Sequence, residues 1–324
     1  GLEYFYNSEI SKSISSSVNR ILSLDDLGNY KAEWKKPLHA NIYGFDGWTS
    51  PPSTQGYLTL STLKAIEMLS AEHDDIHKVI ETYRIFAADR DNITYDYGKN
   101  IEDFKGVDLN YIQEKIKLFN PNQSEKFDFP KPHGGGTAYM NTVDKNGLGV
   151  SLIQSNFHGI GSRIGVESFG FFLHNRGCGF NLDSGHPNYL TPGRKPLHTL
   201  SPTIWSKNGN LEFIAGTRGG RYQPQLLIQT ILPYIKNSDS FEKIIKEPRW
   251  VIENFSNDTL SKLRFEKINN EDLKILLQKG HEVEVDNKFN KAYGPISIIY
   301  KKDDGNFEGV CDVRVGTEKV FNSS

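Results

Sequence analysis

Cysteine is almost missing from the 324 residues: there are two, Cys178 and Cys311. Two thiols cannot build a disulfide framework, and neither they nor the nine histidines fall into a metal-binding spacing such as H-E-x-x-H. No metal and no organic cofactor is expected. A basic surplus is missing too. Lys and Arg number 38 against 40 Asp and Glu, a net charge of −2, which removes the simple electrostatic case for a nucleic-acid partner. No run of about 18 apolar residues occurs, so no membrane-spanning helix is expected. The chain opens Gly1-Leu2-Glu3-Tyr4 without a Met or a signal-peptide pattern. At sequence level this suggests a processed product or a missing N-terminal piece, and it leaves the compartment open, with the cytoplasm favoured.

What is present is ordinary globular material, 12% aromatic and 24% charged, enough for one large domain or two. The pattern predicts an α+β fold. Up to about residue 118 it is mostly helical. Ile10, Ile14, Val18 and Ile21 form a helical stripe, Ser23 with Asp25 and Asp26 starts a helix, and helices are expected from Tyr57 to Leu69 and around Ile76, Ile80, Tyr83 and Ala87. Periodicity then disappears over residues 119–136, which end in Gly134-Gly135-Gly136 and form the best linker candidate. Residues 137–324 are richer in strands. Hairpins are expected around Asp144-Lys145-Asn146-Gly147, Asn208-Gly209 and Asp303-Asp304-Gly305, a strand over Phe169–Leu173, and a helix over Tyr222–Ile235 whose last turn Pro233 should disturb.

The chemistry concentrates where the glycines meet Thr137. Three glycines allow unusual backbone angles beside a hydroxyl that could attack the preceding carbonyl, an N→O acyl shift. Cleavage at Gly136–Thr137 would free the Thr137 amine, whose pKa near ~7.7–8.0 suits it as base for the Thr137 hydroxyl. The tetrapeptide alone reads equally as a flexible linker. Gly219-Gly220 alone reads as a turn after a strand.

Many short motifs, in order, tip this reading. Thr137 is followed by Val143-Asp144-Lys145-Asn146-Gly147, Gly159-Ile160-Gly161, Glu167-Ser168, Lys195-Pro196-Leu197, Leu200-Ser201-Pro202-Thr203-Ile204, Gly216-Thr217-Arg218-Gly219-Gly220, and Asp312 with Arg314. Upstream lie Asp26-Leu27, Tyr30, Pro37-Leu38, Pro51-Pro52-Ser53 and Phe86-Ala87-Ala88-Asp89-Arg90. Together they resemble the gamma-glutamyltranspeptidase family of N-terminal-nucleophile hydrolases. The resemblance implies a four-layer α/β/β/α sandwich, partial here, because the N-terminal half of the large subunit is not in this sequence. Residues 1–118 would be the C-terminal helical part of the large subunit, 119–136 the linker ending at the processing site, and 137–324 the small subunit.

The resemblance also implies roles. Thr137 is the nucleophile and, with Gly136, the processing site. Ser155 stands where a second hydroxyl bonds the nucleophile, Asn156 is the nearest match to a family Asn, and Gly219 and Gly220 supply oxyanion N–H groups. The specificity positions depart from the family. Gly179 stands where an Asp would bind the substrate ammonium, Arg176 replaces Gln or Glu, and His198-Thr199 replaces a Ser-Ser pair. Losing an acid and gaining an Arg favours a carboxylate over an ammonium. Arg176 as a structural ion-pair residue stays open. The expected activity is a self-processing amidohydrolase or acyltransferase for gamma-glutamyl-like or dicarboxylic acyl amides, acting on a small-molecule amide or peptide. The alternatives are a true gamma-glutamyltransferase or glutathione hydrolase, and a non-catalytic relative acting as a binding protein. The oligomeric state is left open, a homo-oligomer included. Asp89-Arg90 reads as a structural pair or a helix-end contact, and His133 as a loop residue or an aid to processing.

Overall fold

The computed structural model describes residues 2–71, 75–127, 136–252, 262–316 and 319–321. Three short helices open it: α1 (Leu2–Tyr6), α2 (Glu9–Ser17) and α3 (Leu24–Asn29). Ser8 and Ser23 cap α2 and α3, and Ser11 and Asp26 reach back to close two capping boxes. The stripe expected to Ile21 stops early. Asn19 and Arg20 take left-handed backbone angles and Ile21 stands in solvent.

The first part is not purely helical. β1 (Leu38–Ile42) and β2 (Phe45–Thr49) form a hairpin closed by Tyr43 and Gly44, both at positive φ. Next come α4 (Tyr57–Met68), α5 (Ile76–Ala88), α6 (Arg90–Ile93) and α7 (Leu109–Ile116). After residue 135 the chain adds β3 (Gly136–Val143), β4 (Gly149–Phe157), β5 (Gly165–Val166), β6 (Phe171–Phe172), β7 (Thr203–Lys207) and β8 (Asn210–Thr217). The remainder holds α8 (Tyr222–Asn237), α9 (Phe241–Ile244), β9 (Trp250–Ile252), β10 (Lys262–Phe265), α10 (Asn270–Gln278), β11 (Glu282–Val285), β12 (Ile296–Lys301) and β13 (Phe307–Val310). The strand expected over Phe169–Leu173 shrinks to β6, because a 3₁₀ turn takes Glu167–Phe169 and Gly170 is left-handed. Pro233 does not end α8, which runs to Asn237 and closes at left-handed Ser238.

An antiparallel six-stranded sheet in the order β1-β2-β7-β8-β12-β13 is the centre. So the first part contributes two of its strands, against the helical expectation for 1–118. Helices α4 and α8 cover one face. Their Leu60, Leu63, Leu226 and Leu227 meet Trp205 and Phe213, all fully buried in one cluster. The Trp205 and Phe213 rings stack at 5.5 Å, and Gly47 leaves room for them: a Cβ there would stand 2.7 Å from the Trp205 ring. The β3–β4 hairpin lies on the other face. Its inward Tyr139 packs on Gly216, and Asn141 Nδ2 donates to the carbonyls of Ile214 and Ser297 at 3.4 and 3.2 Å. Its outward Met140, Val150 and Leu152 are exposed, and Met140 pairs directly with Leu152. A smaller sheet, β11-β10-β9, flanks the core.

The expected linker 119–136 is only in part a linker. Residues up to Phe127 are anchored. The amide of Glu125 donates to Glu81 Oε1 at 2.9 Å, Arg84 donates to the Glu125 carbonyl at 2.9 Å, and the Ser124 amide donates to the Lys279 carbonyl at 2.7 Å. Gly136 already belongs to β3. His133, Gly134 and Gly135 lie outside the described residues.

Candidate active site

Gly136 and Thr137 open β3 at an irregularity in its pairing, Gly136 facing Phe157 and Thr137 facing Ser155. One hydroxyl organises this junction. Ser155 Oγ donates to the Gly136 carbonyl at 2.7 Å, and accepts from Thr137 Oγ1 at 3.1 Å and from the Phe157 amide at 3.0 Å. One donor and two acceptor sites are all a serine hydroxyl has, so its orientation is fixed. The chain Thr137 O–H to Ser155 O–H to Gly136 C=O joins the attacking oxygen to the carbonyl it would attack. Gly136 has to be glycine. A Cβ would stand 2.9 Å from the Gly159 carbonyl carbon and closer still to its oxygen, both rigid backbone atoms.

The register of β3 directs Thr137. Asn141 bonds Ile214, and Tyr139, two residues back, lies on Gly216. One more step of two residues, about 6.7 Å, carries Thr137 toward the Arg218-Gly219-Gly220 loop. There two carbonyls have local partners and one a distant partner. Arg218 O lies 3.1 Å from Thr217 Oγ1, whose one proton it shares with Pro295 O at 2.7 Å; Gly219 O accepts from the Tyr222 amide at 3.0 Å, and Gly220 O from Gln55 Nε2 at 2.9 Å. The N–H groups of Gly219 and Gly220 have no acceptor among the described residues. Their φ values of 124° and 58° lie where glycine is favoured. Pinned carbonyls with vacant N–H groups are what an oxyanion site requires.

Arg176 sits in a short 3₁₀ turn, 3% exposed, with its guanidinium 4.7 Å over the Phe157 ring and Nη1 3.4 Å from Thr199 Oγ1. Its Nη2 is buried without a partner, and no carboxylate among the described residues pairs with it. Desolvation alone pushes its pKa down to about 10. Among the described residues Arg176 therefore makes no ion pair. A small pocket of about 110 Å³ adjoins its neighbours Phe157 and Thr199 and is lined also by Gly179, Cys178, Arg90 and Asp91, whose carboxylate pairs with Arg90 at 2.6 Å. Gly179 cannot carry the acid that gamma-glutamyl recognition would want, because a Cβ would stand 2.5 Å from the Leu197 carbonyl oxygen. His198 is tied through its amide to Ser53 O at 2.7 Å, and its Nδ1 is buried without a partner. Desolvation first, and then Arg176, push its pKa down to about 4, so it is neutral at pH 7. Asn156 joins the site through its backbone carbonyl, which accepts from the Asn175 amide at 3.1 Å.

Sequence reasoning missed Gln55, which is fully buried and bonds both Thr199 and Gly220 carbonyls. No local pattern marks it, since its partners are 144 and 165 residues away. Of the two readings of Asp89-Arg90, the helix-end contact agrees with the structure, where Asp89 closes α5 and Arg90 opens α6, and the mutual pair does not. Arg90 bonds Asp91 at 2.8 Å and Gln55 at 3.0 Å, whereas Asp89 takes Lys115 and Tyr111. Asp312 and Arg314 belong to a buried structural cluster with Arg249 and Glu266.

Among the described residues one cluster has a metal-like donor set: His77, Glu81 and His281. Its bonding leaves little for an ion. His77 Nε2 faces the Asn120 carbonyl at 2.8 Å and must donate, so Nδ1 accepts from His281 Nε2 at 2.7 Å. Glu81 already serves Arg84, Ser124 and the Glu125 amide. The cluster fastens residues 120–125 to α5.

This sandwich, with a threonine at the start of an inner strand, is the N-terminal-nucleophile hydrolase fold. A cephalosporin acylase from Bacillus halodurans superposes on 96% of the chain and 58% of its own, with a TM-score of 0.84 and 26% identity. The sequence matches the gamma-glutamyltranspeptidase family profile over residues 1–321, and the chain belongs to that family. It is 30% identical to the oxamate amidohydrolase proenzyme of Klebsiella pneumoniae and 28% identical to the glutathione hydrolase-like YwrD proenzyme of Bacillus subtilis, in each case over 97% of this chain. It spans 61% and 62% of those relatives.

Proposed function

We propose that this chain carries the reacting half of an N-terminal-threonine amidohydrolase or acyltransferase that cuts itself at Gly136–Thr137. The hydrogen-bonded chain through Ser155 is the observation that carries the reading. As Thr137 Oγ1 bonds to the Gly136 carbonyl carbon, its proton passes to Ser155 Oγ while the Ser155 proton passes to the Gly136 oxygen. The tetrahedral adduct then collapses. As its hydroxyl proton passes to the nitrogen of Thr137, the C–N bond breaks, the carbonyl re-forms as an ester and the nitrogen leaves as an amine; water then hydrolyses the ester. In the mature protein the freed amine takes the Thr137 hydroxyl proton during attack on a substrate amide and returns it to the leaving amine. The N–H groups of Gly219 and Gly220 meet the oxyanion, and water or an acceptor amine resolves the acyl-enzyme. No step calls for a metal.

The acyl group in this reading carries a carboxylate and lacks an α-ammonium. Arg176, buried and unpaired, and Gly179, closed to an acid, both support it, and the small pocket fits a short acyl chain. The relatives named for oxamate and cephalosporin fit better with this reading than with strict glutathione hydrolysis. The exposed apolar face of Met140, Val150 and Leu152 fits a longer protein whose N-terminal part covers the hairpin, as the extra length of the relatives suggests.

The test compares glutaryl- and gamma-glutamyl-p-nitroanilide on the full-length protein and on its Thr137→Ala variant. Faster, Thr137-dependent release from the glutaryl compound supports the reading. Faster release from the gamma-glutamyl compound overturns the specificity, and release that persists in the variant overturns the nucleophile.

A further inference from the structure

Gln55 lies between β2 and α4, in the loop Ser50-Pro51-Pro52-Ser53-Thr54-Gln55-Gly56. Its side chain is wholly buried and nearly saturated. Nε2 donates to the Thr199 carbonyl at 2.8 Å and to the Gly220 carbonyl at 2.9 Å, and Oε1 accepts from Arg90 Nη1 at 3.0 Å. Oxygen and nitrogen of a carboxamide have nearly the same shape, but only one orientation works here. A flipped amide would set its oxygen against two carbonyl oxygens and its NH₂ against a guanidinium. Arg90, held in turn by Asp91, therefore decides which way the amide faces.

Both N–H groups of Gln55 end on segments the proposed chemistry uses. Gly220 is the second of the two oxyanion glycines, and Thr199 carries the hydroxyl beside Arg176. Glycine has the widest backbone freedom of any residue, so a glycine pair needs restraint from outside. The Gly220 carbonyl shares its planar peptide with the Arg221 N–H, and the Gly220 N–H shares its own with the Gly219 carbonyl, so a hold on the Gly220 carbonyl restrains the Gly220 N–H across one Cα, through φ and ψ of Gly220. The Gly219 carbonyl is held by its own loop, through the Tyr222 amide. The Gly220 carbonyl takes a poorer bond of 3.3 Å from the Gln223 amide and the 2.9 Å bond from Gln55. The long-range restraint on the pair thus comes from Gln55, which lies upstream of the Gly136–Thr137 bond.

We propose that Gln55 is a positioning residue for acyl transfer, acting through Gly220 and Thr199 to hold the oxyanion loop and the acyl-recognition segment in register. It rests on the function proposed above. A consequence is that the upstream fragment stays part of the working site after the chain is cut, because it supplies this restraint without a covalent link.

Two variants of the full-length protein test it. Gln55→Leu removes both donors without adding charge. Gln55→Glu keeps the shape and sets a carboxylate against the two carbonyls. For each, kcat and KM on the p-nitroanilide that the parent turns over, and the thermal midpoint, are measured from pH 5 to pH 9. The expected result is a fall in kcat of about 100-fold with KM changed by less than about 3-fold, the pattern of a displaced oxyanion donor. The ratio of Gln55→Glu to parent activity should rise as the pH falls, since a protonated carboxyl regains one donor, while the Gln55→Leu ratio stays flat. A purely structural role would not separate the two variants in this way. A folded Gln55→Leu protein with kcat within about 2-fold of the parent overturns the inference, and so does a loss confined to KM. If the parent shows no Thr137-dependent turnover at all, the proposed function itself fails and this inference falls with it. A parent that turns over normally beside an unaffected Gln55→Leu variant refutes the positioning role alone.

Discussion

Gly136→Ala probes the attack geometry at the smallest scale available, one methyl group. The added Cβ would stand 2.9 Å from the Gly159 carbonyl carbon, with the oxygen nearer, where ordinary contacts lie at 3.4–4 Å. The obstacle is backbone, so no side chain can swing aside. Relief requires the start of β3 or the Gly159 turn to move by about 1 Å, and overpacking of this kind costs roughly 1–3 kcal/mol. The moving group carries the scissile carbonyl, which Ser155 holds at 2.7 Å. A displacement of about 1 Å at a reacting centre costs on the order of 100-fold in rate. The assay is the rate at which the full-length protein divides into two bands on a denaturing gel, with a urea unfolding curve to register the stability cost. We expect cleavage slowed about 100-fold in a protein that remains folded. Cleavage of Gly136→Ala at the parent rate would refute the reasoning, because the Gly136 carbonyl would then have room the structure does not give it.

Ser155→Ala removes the bond to the Gly136 oxygen while leaving the Gly159 contact alone, and should slow self-cleavage by roughly 100- to 1,000-fold on the same gel assay. Arg176→Met should lower kcat/KM for a glutaryl anilide by about 10- to 100-fold, the worth of a hydrogen bond to a charged group. Because no acid among the described residues pairs with Arg176, the thermal midpoint should hold or rise. Arg84→Met leaves Glu81 buried and unpaired at the anchor of residues 120–127, and should destabilise the fold by about 3–5 kcal/mol in urea. Burial pushes the His281 pKa down to about 3, below its unfolded value near ~6.5. The unfolded chain therefore binds more protons between these values. Stability from this group is complete above about pH 6.5 and declines as pH falls toward 3, by up to ~1.4 kcal/mol per pH unit. The urea stability difference between the parent and His281→Gln should narrow from pH 7 to pH 5.

The legible features were local ones. Asn146-Gly147 and Asn208-Gly209 turn where expected, because the positive φ at Gly147, Asn208 and Gly209 is a property of the turn itself. The helices over Tyr57 and Ile76 carry their own periodicity and form almost to the residue. The β1–β2 hairpin was missed because its turn, Tyr43-Gly44, places a tyrosine at positive φ, which no turn rule favours. At the site, Thr137, Ser155 and the glycine pair could be found through motifs that keep their order along the chain. Gln55 and the unpaired state of Arg176 could not. The first depends on carbonyls 144 and 165 residues away, and the second on there being no acid paired with the buried guanidinium among the described residues, which only packing decides. The same holds for residues 119–127, whose loop composition conceals bonds to Glu81, Arg84 and Lys279.

The central claim is that Thr137 becomes a free N-terminus by its own chemistry. Intact mass and N-terminal sequencing of the purified full-length protein, before and after incubation, test it most directly, with Thr137→Ala beside it. The account predicts a new terminus beginning Thr137-Ala138-Tyr139 in the parent and an unbroken chain in the variant. A parent that stays whole after prolonged incubation, or a variant that is cut at the same bond, would contradict it.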